Sequence, residues 1–135
     1  MYLTEKSMSL TNAFETSTLQ YLLTTGSVTR PTAWYVGLFT SDPTDTGTAG
    51  TEVSGSGYAR VSATFSVTGD TASNTASIEF PAASGGNWGT IGWIGIIDAS
   101  SGGNMIIHSA LDTAKAINDG DVFRIPTGDL DITAS

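Results

Sequence analysis

Cysteine is absent from this 135-residue sequence, and histidine occurs once, as His108. The lack of cysteine excludes disulfides, thiolate metal sites and thiol catalysis. A single histidine excludes a cage of several imidazoles around a metal. Lysine and arginine total 5 against 13 aspartate and glutamate residues, which leaves a net charge of −8 and no basic cluster to follow a phosphate backbone. We therefore expect no metal, no cofactor and no nucleic-acid partner.

Long apolar runs are also missing. No segment approaches the roughly 18 residues that cross a bilayer, so we expect no membrane partner. Charged residues make up only 13% of the chain, and Thr, Ser and 16 Gly take their place. Such a surface loses little side-chain entropy on contact, which favours extensive and lasting protein interfaces.

One segment, residues 13–24, has the composition of a helix. Asn12 precedes it as an N-cap, and Glu15 follows three residues later as in a capping box. The apolar side chains fall in two directions, so the helix either packs on the domain or docks on a partner subunit. The two sets are Leu10, Phe14 and Tyr21 on one side and Leu19, Leu22 and Leu23 on the other.

From residue 33 onward apolar residues recur with a period of 2, which is typical of strands. Turn signals separate seven predicted strands at 33–40, 58–67, 75–80, 90–98, 104–111, 121–125 and 130–133. This spacing predicts a mainly β fold: an antiparallel β-sandwich or barrel of about seven strands with one N-terminal helix. We expect residues 1–12 to form an N-terminal arm and residues 13–135 a single β-rich domain. The segment 44–57 is predicted to be a loop without core residues that becomes ordered, like the arm, against neighbouring proteins.

Few residues suggest chemistry. His108 lies in a strand pattern without a Gly-x-Ser-x-Gly signature, which favours a structural histidine over a Ser–His hydrolase. The pairs Asp119/Asp121 and Asp129/Asp131 supply too few oxygens for calcium and are typical of turns. We expect no enzymatic activity and assign no catalytic, cofactor-binding or metal-binding residue.

The large aromatic residues of the strands have three interpretations: core packing, a protein interface, or stacking on sugars as in a carbohydrate-binding module. Combined with two apolar residues at the start of the chain, they give the candidate partner-binding set. That set is Leu10, Phe14, Trp34, Tyr35, Trp88 and Trp93.

Ordered motifs run along the chain from about residue 12 to residue 134. They are WYVGLFTSDPT at 34–44, GTEV at 50–53, GYAR at 57–60, FPAA at 80–83, WGTI at 88–91, IGIID at 94–98, GGN at 102–104 and GDVFRIPTG at 120–128. In combination they resemble a family of small virion proteins common in tailed-bacteriophage genomes, whose members are often labelled tail-fibre proteins. The resemblance implies a phage structural protein that is not an enzyme and acts through assembly.

Fibres usually show repeats, coiled-coil heptads or a receptor-binding tip, and this sequence shows none. We therefore expect a capsid cement or decoration protein on the outer capsid surface of the virion, bound to the major capsid protein and to copies of itself as a dimer or trimer. The acidic charge fits a position away from packaged DNA. The alternatives are a tail or tail-fibre-associated adaptor that contacts tail proteins and, second, a carbohydrate-binding module.

Overall fold

A computed structural model describes residues 9–134. Residues 1–8, most of the predicted arm, lie outside the described residues, and the division into an arm and one domain stays a prediction. The elements in chain order are β1 (Ser9–Leu10), α1 (Asn12–Leu23), β2 (Tyr35–Phe39), β3 (Val61–Ser62), β4 (Phe65–Thr68), β5 (Thr71–Asn74), β6 (Ile78–Glu79), β7 (Gly89–Ile97), β8 (Met105–Ile117), β9 (Arg124–Ile125) and β10 (Asp131–Thr133).

The predicted fold class is confirmed: the protein is mainly β, with one helix and antiparallel strand pairing. A five-stranded sheet has the order β1-β8-β7-β2-β3, a three-stranded sheet the order β10-β5-β4, and β6 pairs with β9. None of these sheets closes into a barrel between residues 9 and 134, so the arrangement is that of a sandwich.

The long β7–β8 hairpin forms the centre of the five-stranded sheet, and alternate residues of its strands face opposite sides. Leu38 of β2 and Ile94 of β7 are cross-strand partners that belong to the main core, which also takes in residues from the smaller sheets. Phe39 of β2 belongs to a second, smaller cluster with Ile97 and Met105. The period of 2 thus buries residues on both sides of this sheet.

An aromatic cluster fills the core beside the smaller sheets. Trp88 meets Tyr58 edge to face at 5.4 Å between ring centroids, and Phe80 meets Phe123 in the same way at 5.7 Å. The indole N–H of Trp88 donates to the carbonyl oxygen of Ser56 at 2.9 Å. Burial of the rings and satisfaction of this polar tip together fix the position of Trp88.

The central strands agree with the prediction, whereas the short ones differ. The predicted strand 58–67 divides into β3 and β4, because the chain passes from the five-stranded to the three-stranded sheet between them. β8 runs six residues beyond the predicted end at Leu111. β5 was not predicted, because its residues Thr71–Asn74 are mostly polar.

Two local predictions are wrong. The helix N-cap is Thr11 and not Asn12, and the hydroxyl of Thr11 bonds a strand carbonyl rather than the first helical turn. The segment 44–57 contributes to the core through Val53, which is 5% exposed. The backbone N–H of Val53 donates to the carbonyl oxygen of Leu38, so the segment lies against the edge of β2.

Candidate docking surface

Helix α1 buries none of its twelve residues, although it is rich in large apolar side chains. Leu19 is 58% exposed, Leu22 66% and Leu23 76%, and Tyr21 is 67% exposed. A helix on the surface of a domain ordinarily buries one apolar stripe against the core. Of the two interpretations of α1, packing on the domain therefore receives no support from its burial.

The sequence of α1 gives the helix little stability of its own. Twelve residues are at the lower limit for an isolated helix in water, and half of them (Asn, Phe, Thr, Ser and Tyr) are weaker helix formers than the Ala, Glu, Gln and Leu of the other half. The hydroxyls of Thr16, Ser17 and Thr18 each donate to the carbonyl four residues earlier, a bond that slightly destabilises helices. The residue before the helix makes no side-chain cap bond. Packing against another surface is the remaining source of stabilisation.

The start of α1 is nevertheless firmly fixed to the domain. Thr11 is 2% exposed, its hydroxyl donates to the carbonyl oxygen of Met105 at 2.7 Å, and its N–H donates to the carbonyl oxygen of Ile106 at 3.0 Å. The N–H of Asn12 donates to the carbonyl oxygen of Asp45 at 2.8 Å. The helix is thus anchored beside the start of β8 at a defined point, while most of its own side chains remain exposed.

The chain that returns from α1 to β2 forms a groove with the helix. We call it the α1 groove. It has a volume of about 310 Å³. Phe14, Tyr21 and Leu22 supply its apolar helix wall, and Val28 and Pro31 the opposite wall. A concave, mainly apolar surface with little charge is suited to an apolar side chain of another protein.

Two opposite charges flank this region. Glu15 is the one charged residue of α1, and Arg30 lines the α1 groove. The ion pairs found between residues 9 and 134 include neither of them. Both charges are thus available to a binding partner.

A network around Glu52 fixes the neighbouring segment 44–57 to the sheet. Arg60 donates from Nε to Glu52 Oε1 at 2.7 Å and from Nη2 to Glu52 Oε2 at 2.8 Å. The hydroxyl of Tyr58 donates to Glu52 Oε1 at 2.8 Å and accepts the N–H of Leu38 at 3.0 Å. Burial is the main cause that raises the pKa of Tyr58 well above its ordinary value, and the carboxylate adds to it. The bond to Glu52 is the main cause that raises the pKa of Arg60.

His108 takes part in a second polar cluster. Its Nε2 lies 3.1 Å from Asp45 Oδ1, and its Nδ1 lies 3.8 Å from Asp42 Oδ1. The hydroxyl of Ser9 donates to the same Asp45 oxygen at 2.9 Å. The bond from Ser9, and next that from His108, hold the pKa of Asp45 below its ordinary value. A catalytic triad needs the imidazole between the hydroxyl and the carboxylate. Here the carboxylate of Asp45 lies between the hydroxyl of Ser9 and the imidazole of His108, and its bonds connect β1 and the loop of Asp45 to β8.

The six predicted partner-binding residues lie in four different environments. Phe14 lines the α1 groove, and Leu10 is half-buried in β1. Trp88 is 6% exposed in the core, in line with the core-packing interpretation. The other three lie along the five-stranded sheet: Tyr35 and Trp93 are half-buried, and Trp34, just before β2, is 38% exposed. Their role in binding stays a prediction.

The predicted partner-binding set did not include Arg30, which lines the α1 groove, or the exposed leucines of α1. The leucines carried a signal, because they form a second apolar direction on a short helix. Arg30 carried none, since its position beside the helix depends on the path of residues 24–34.

Among residues 9–134, no cluster of three or more histidine, aspartate or glutamate side chains could hold a metal ion. Within the same range, each helix is too short to traverse a bilayer.

Comparison with known protein families gives a match that covers almost the whole chain. The family model described as podophage GP4 fiber I protein gp80 matches residues 9–133. A search of curated protein sequences gives no match. The matched range begins at β1 and ends in β10, so it includes both α1 and the sandwich.

Proposed function

The chain belongs to the podophage GP4 fiber I protein gp80 family, and from this premise we propose that it is a tail-fibre structural protein that docks on other virion proteins through α1 and the α1 groove. As a member of the family it is a structural protein of the phage virion, and it resides in the virion. The tail position and the docking surface are the proposed part.

The observation that carries the proposal is the exposure of α1. A soluble protein rarely leaves several large apolar side chains together in solvent unless they meet a partner. Leu22 and Leu23 are both about two-thirds exposed or more, on a helix that is itself too short to be stable alone. The rigid anchor at Thr11 holds this helix in one place, which reduces the entropy lost on docking.

The tail position is supported by the fibre description of the family. The absence of repeats and heptads does not argue against it, because a compact domain can attach a fibre without forming the shaft. Capsid cement, bound to the major capsid protein, stays the alternative prediction, and the acidic surface is compatible with either position outside packaged DNA.

Location and copy number in the virion test the proposal. We expect a cryo-EM reconstruction without imposed icosahedral symmetry to show the protein at the tail, and quantitative mass spectrometry to give a small number of copies per particle. Hundreds of copies over the capsid shell would contradict the tail position and support cement.

Incorporation into particles tests the docking surface. In phage that carry Leu23→Gln, we expect the protein to fold but to be depleted from purified virions, because a polar amide replaces an apolar contact. Val67→Gln is the matched control, since Val67 is 72% exposed and lies on β4, away from α1. Equal incorporation of both variants would contradict the assignment of the surface.

A further inference from the structure

Two features of α1 lie side by side but face different directions. Leu19, Leu22 and Leu23 form what we call the leucine stripe; they stand at positions i, i+3 and i+4 and so share one side of the helix. Phe14 and Tyr21, seven residues apart, line the α1 groove, and Leu22 belongs to both features. One helix therefore carries both an apolar ridge and one wall of an apolar groove.

Glu15 and Arg30 are divided between the leucine stripe and the α1 groove. Glu15 precedes Leu19 by four residues and Leu22 by seven, which places its carboxylate at the N-terminal end of the leucine stripe. Arg30 belongs to the groove wall that α1 does not supply. The stripe thus carries a negative charge and the groove a positive one, and neither is neutralised by an ion pair in the described residues.

We propose that the occupant of the α1 groove is the leucine stripe of a second copy of this chain, with Glu15 of one copy paired to Arg30 of the other. The proposal rests on the assignment of α1 as the docking surface, and it names the partner. The ridge, the groove and both charges occur on the same chain, so two copies supply everything that the contact needs.

A two-fold arrangement makes this contact twice. Twelve residues at 1.5 Å each give a helix of about 18 Å, so a single ridge-in-groove contact is short. Reciprocal exchange places two such contacts in one interface, and closed two-fold dimers are the commonest assembly of identical chains. The scarcity of charge on α1 favours this pairing, because two copies of the helix bring only one acidic residue each to the interface.

Sedimentation and light scattering of the purified full chain test the proposal. We expect the mass of a dimer at micromolar concentration, and a monomer would overturn the proposal. Leu23→Gln should weaken the dimer by about tenfold or more, whereas Val67→Gln, at a similarly exposed position on β4, should leave it unchanged. Equal effects of the two substitutions would also overturn it.

Charge reversal tests the register of the contact. Glu15→Arg alone and Arg30→Glu alone should each weaken the dimer, because each places like charges opposite one another. The double variant restores the pair with its sign exchanged, and we expect it to recover the dimer. Failure of the double variant to recover would contradict the Glu15–Arg30 pairing. Tryptophan fluorescence and circular dichroism monitor the fold of each variant.

These measurements use purified protein, so their outcome is separate from the location in the virion. A monomer that still occupies the tail would overturn the self-association and leave the tail-fibre proposal intact. A dimer that is absent from the tail would overturn the tail-fibre proposal and leave the self-association intact.

Discussion

The pairing of Glu52 with Arg60 is expected to contribute about 2 kcal/mol to the free energy of unfolding. The guanidinium makes four hydrogen bonds: two to the Glu52 carboxylate, at 2.7 and 2.8 Å, and one each to the carbonyl oxygens of Ala99, at 2.9 Å, and Gly102, at 2.8 Å. It therefore joins the segment 44–57 to the turn between β7 and β8. Glu52→Gln removes the charge and retains the side-chain length, whereas Arg60→Gln removes the charge and shortens the side chain.

The expected magnitude follows from exposure. The side chain of Arg60 is 12% exposed and that of Glu52 is 25% exposed. Fully exposed ion pairs contribute about 0–1 kcal/mol, and removal of one partner of a fully buried pair costs about 3–5 kcal/mol. An intermediate pair with two charge-assisted bonds should therefore cost about 2–3 kcal/mol for each single substitution, with a coupling energy of about 2 kcal/mol.

A double-mutant cycle with Glu52→Gln and Arg60→Gln measures this coupling. Urea unfolding can be followed by tryptophan fluorescence, because Trp88 lies in the core. The matched control is the cycle on Glu79 and Arg124, whose ion pair is 3.8 Å long with side chains 64% and 57% exposed. We expect the control coupling to stay below about 0.5 kcal/mol. A coupling at Glu52 no larger than in the control would refute the reasoning.

Three further predictions concern other parts of the domain. Asn74→Ala should lower stability by roughly 3 kcal/mol, or about 10 °C in Tm by calorimetry, because Asn74 is 2% exposed and its side chain makes three hydrogen bonds; a loss within error would contradict this. Gly95→Ala should cost about 1 kcal/mol, since a Cβ there would lie 2.6 Å from the terminal methyl group of Met105, whose flexible side chain has to move within its buried cluster. Gly92→Ala on the same strand meets open space and should be nearly neutral, and equal effects in urea unfolding would exclude overpacking as the cause. The bonds that lower the pKa of Asp45 stabilise the folded state above the ordinary aspartate pKa of about 3.9, and this stabilisation is lost as the pH falls through the lowered pKa. The Tm difference between the parent protein and Asp45→Asn should therefore shrink between pH 6 and pH 3. A constant Tm difference would contradict the bond assignment.

The central part of the fold could be predicted because its signals are local. Short runs of apolar, aromatic and β-branched residues predicted β2, β7 and the first half of β8, since these strands bury residues on both faces of the sheet. β1 and β5 had no such pattern. Their formation depends on partners far away in sequence, as in the pairing of Ser9 with His108 and of Ser73 with Asp131.

The features of the proposed docking surface could be predicted in part. The two apolar directions of α1 indicated that a single domain face would not cover the helix, but the choice between the domain and a partner depended on how the chain leaves Thr11. Glu52 belongs to the GTEV motif at 50–53 and Arg60 to the GYAR motif at 57–60, and both motifs contribute to the resemblance to the phage family. A separation of eight residues along an irregular segment gives no geometric rule that pairs them.

The exposure of α1 also bears on how the protein can evolve. Because no residue of the helix is buried, a substitution at Leu19 or Leu23 leaves the core contacts of the sandwich unchanged. Most mutations that alter an interface also carry a cost in folding stability, and here that cost is nearly absent. With α1 as the proposed docking surface, the preference of this chain for one partner over another is therefore free to change under selection, while the sandwich and its anchor at Thr11 are kept.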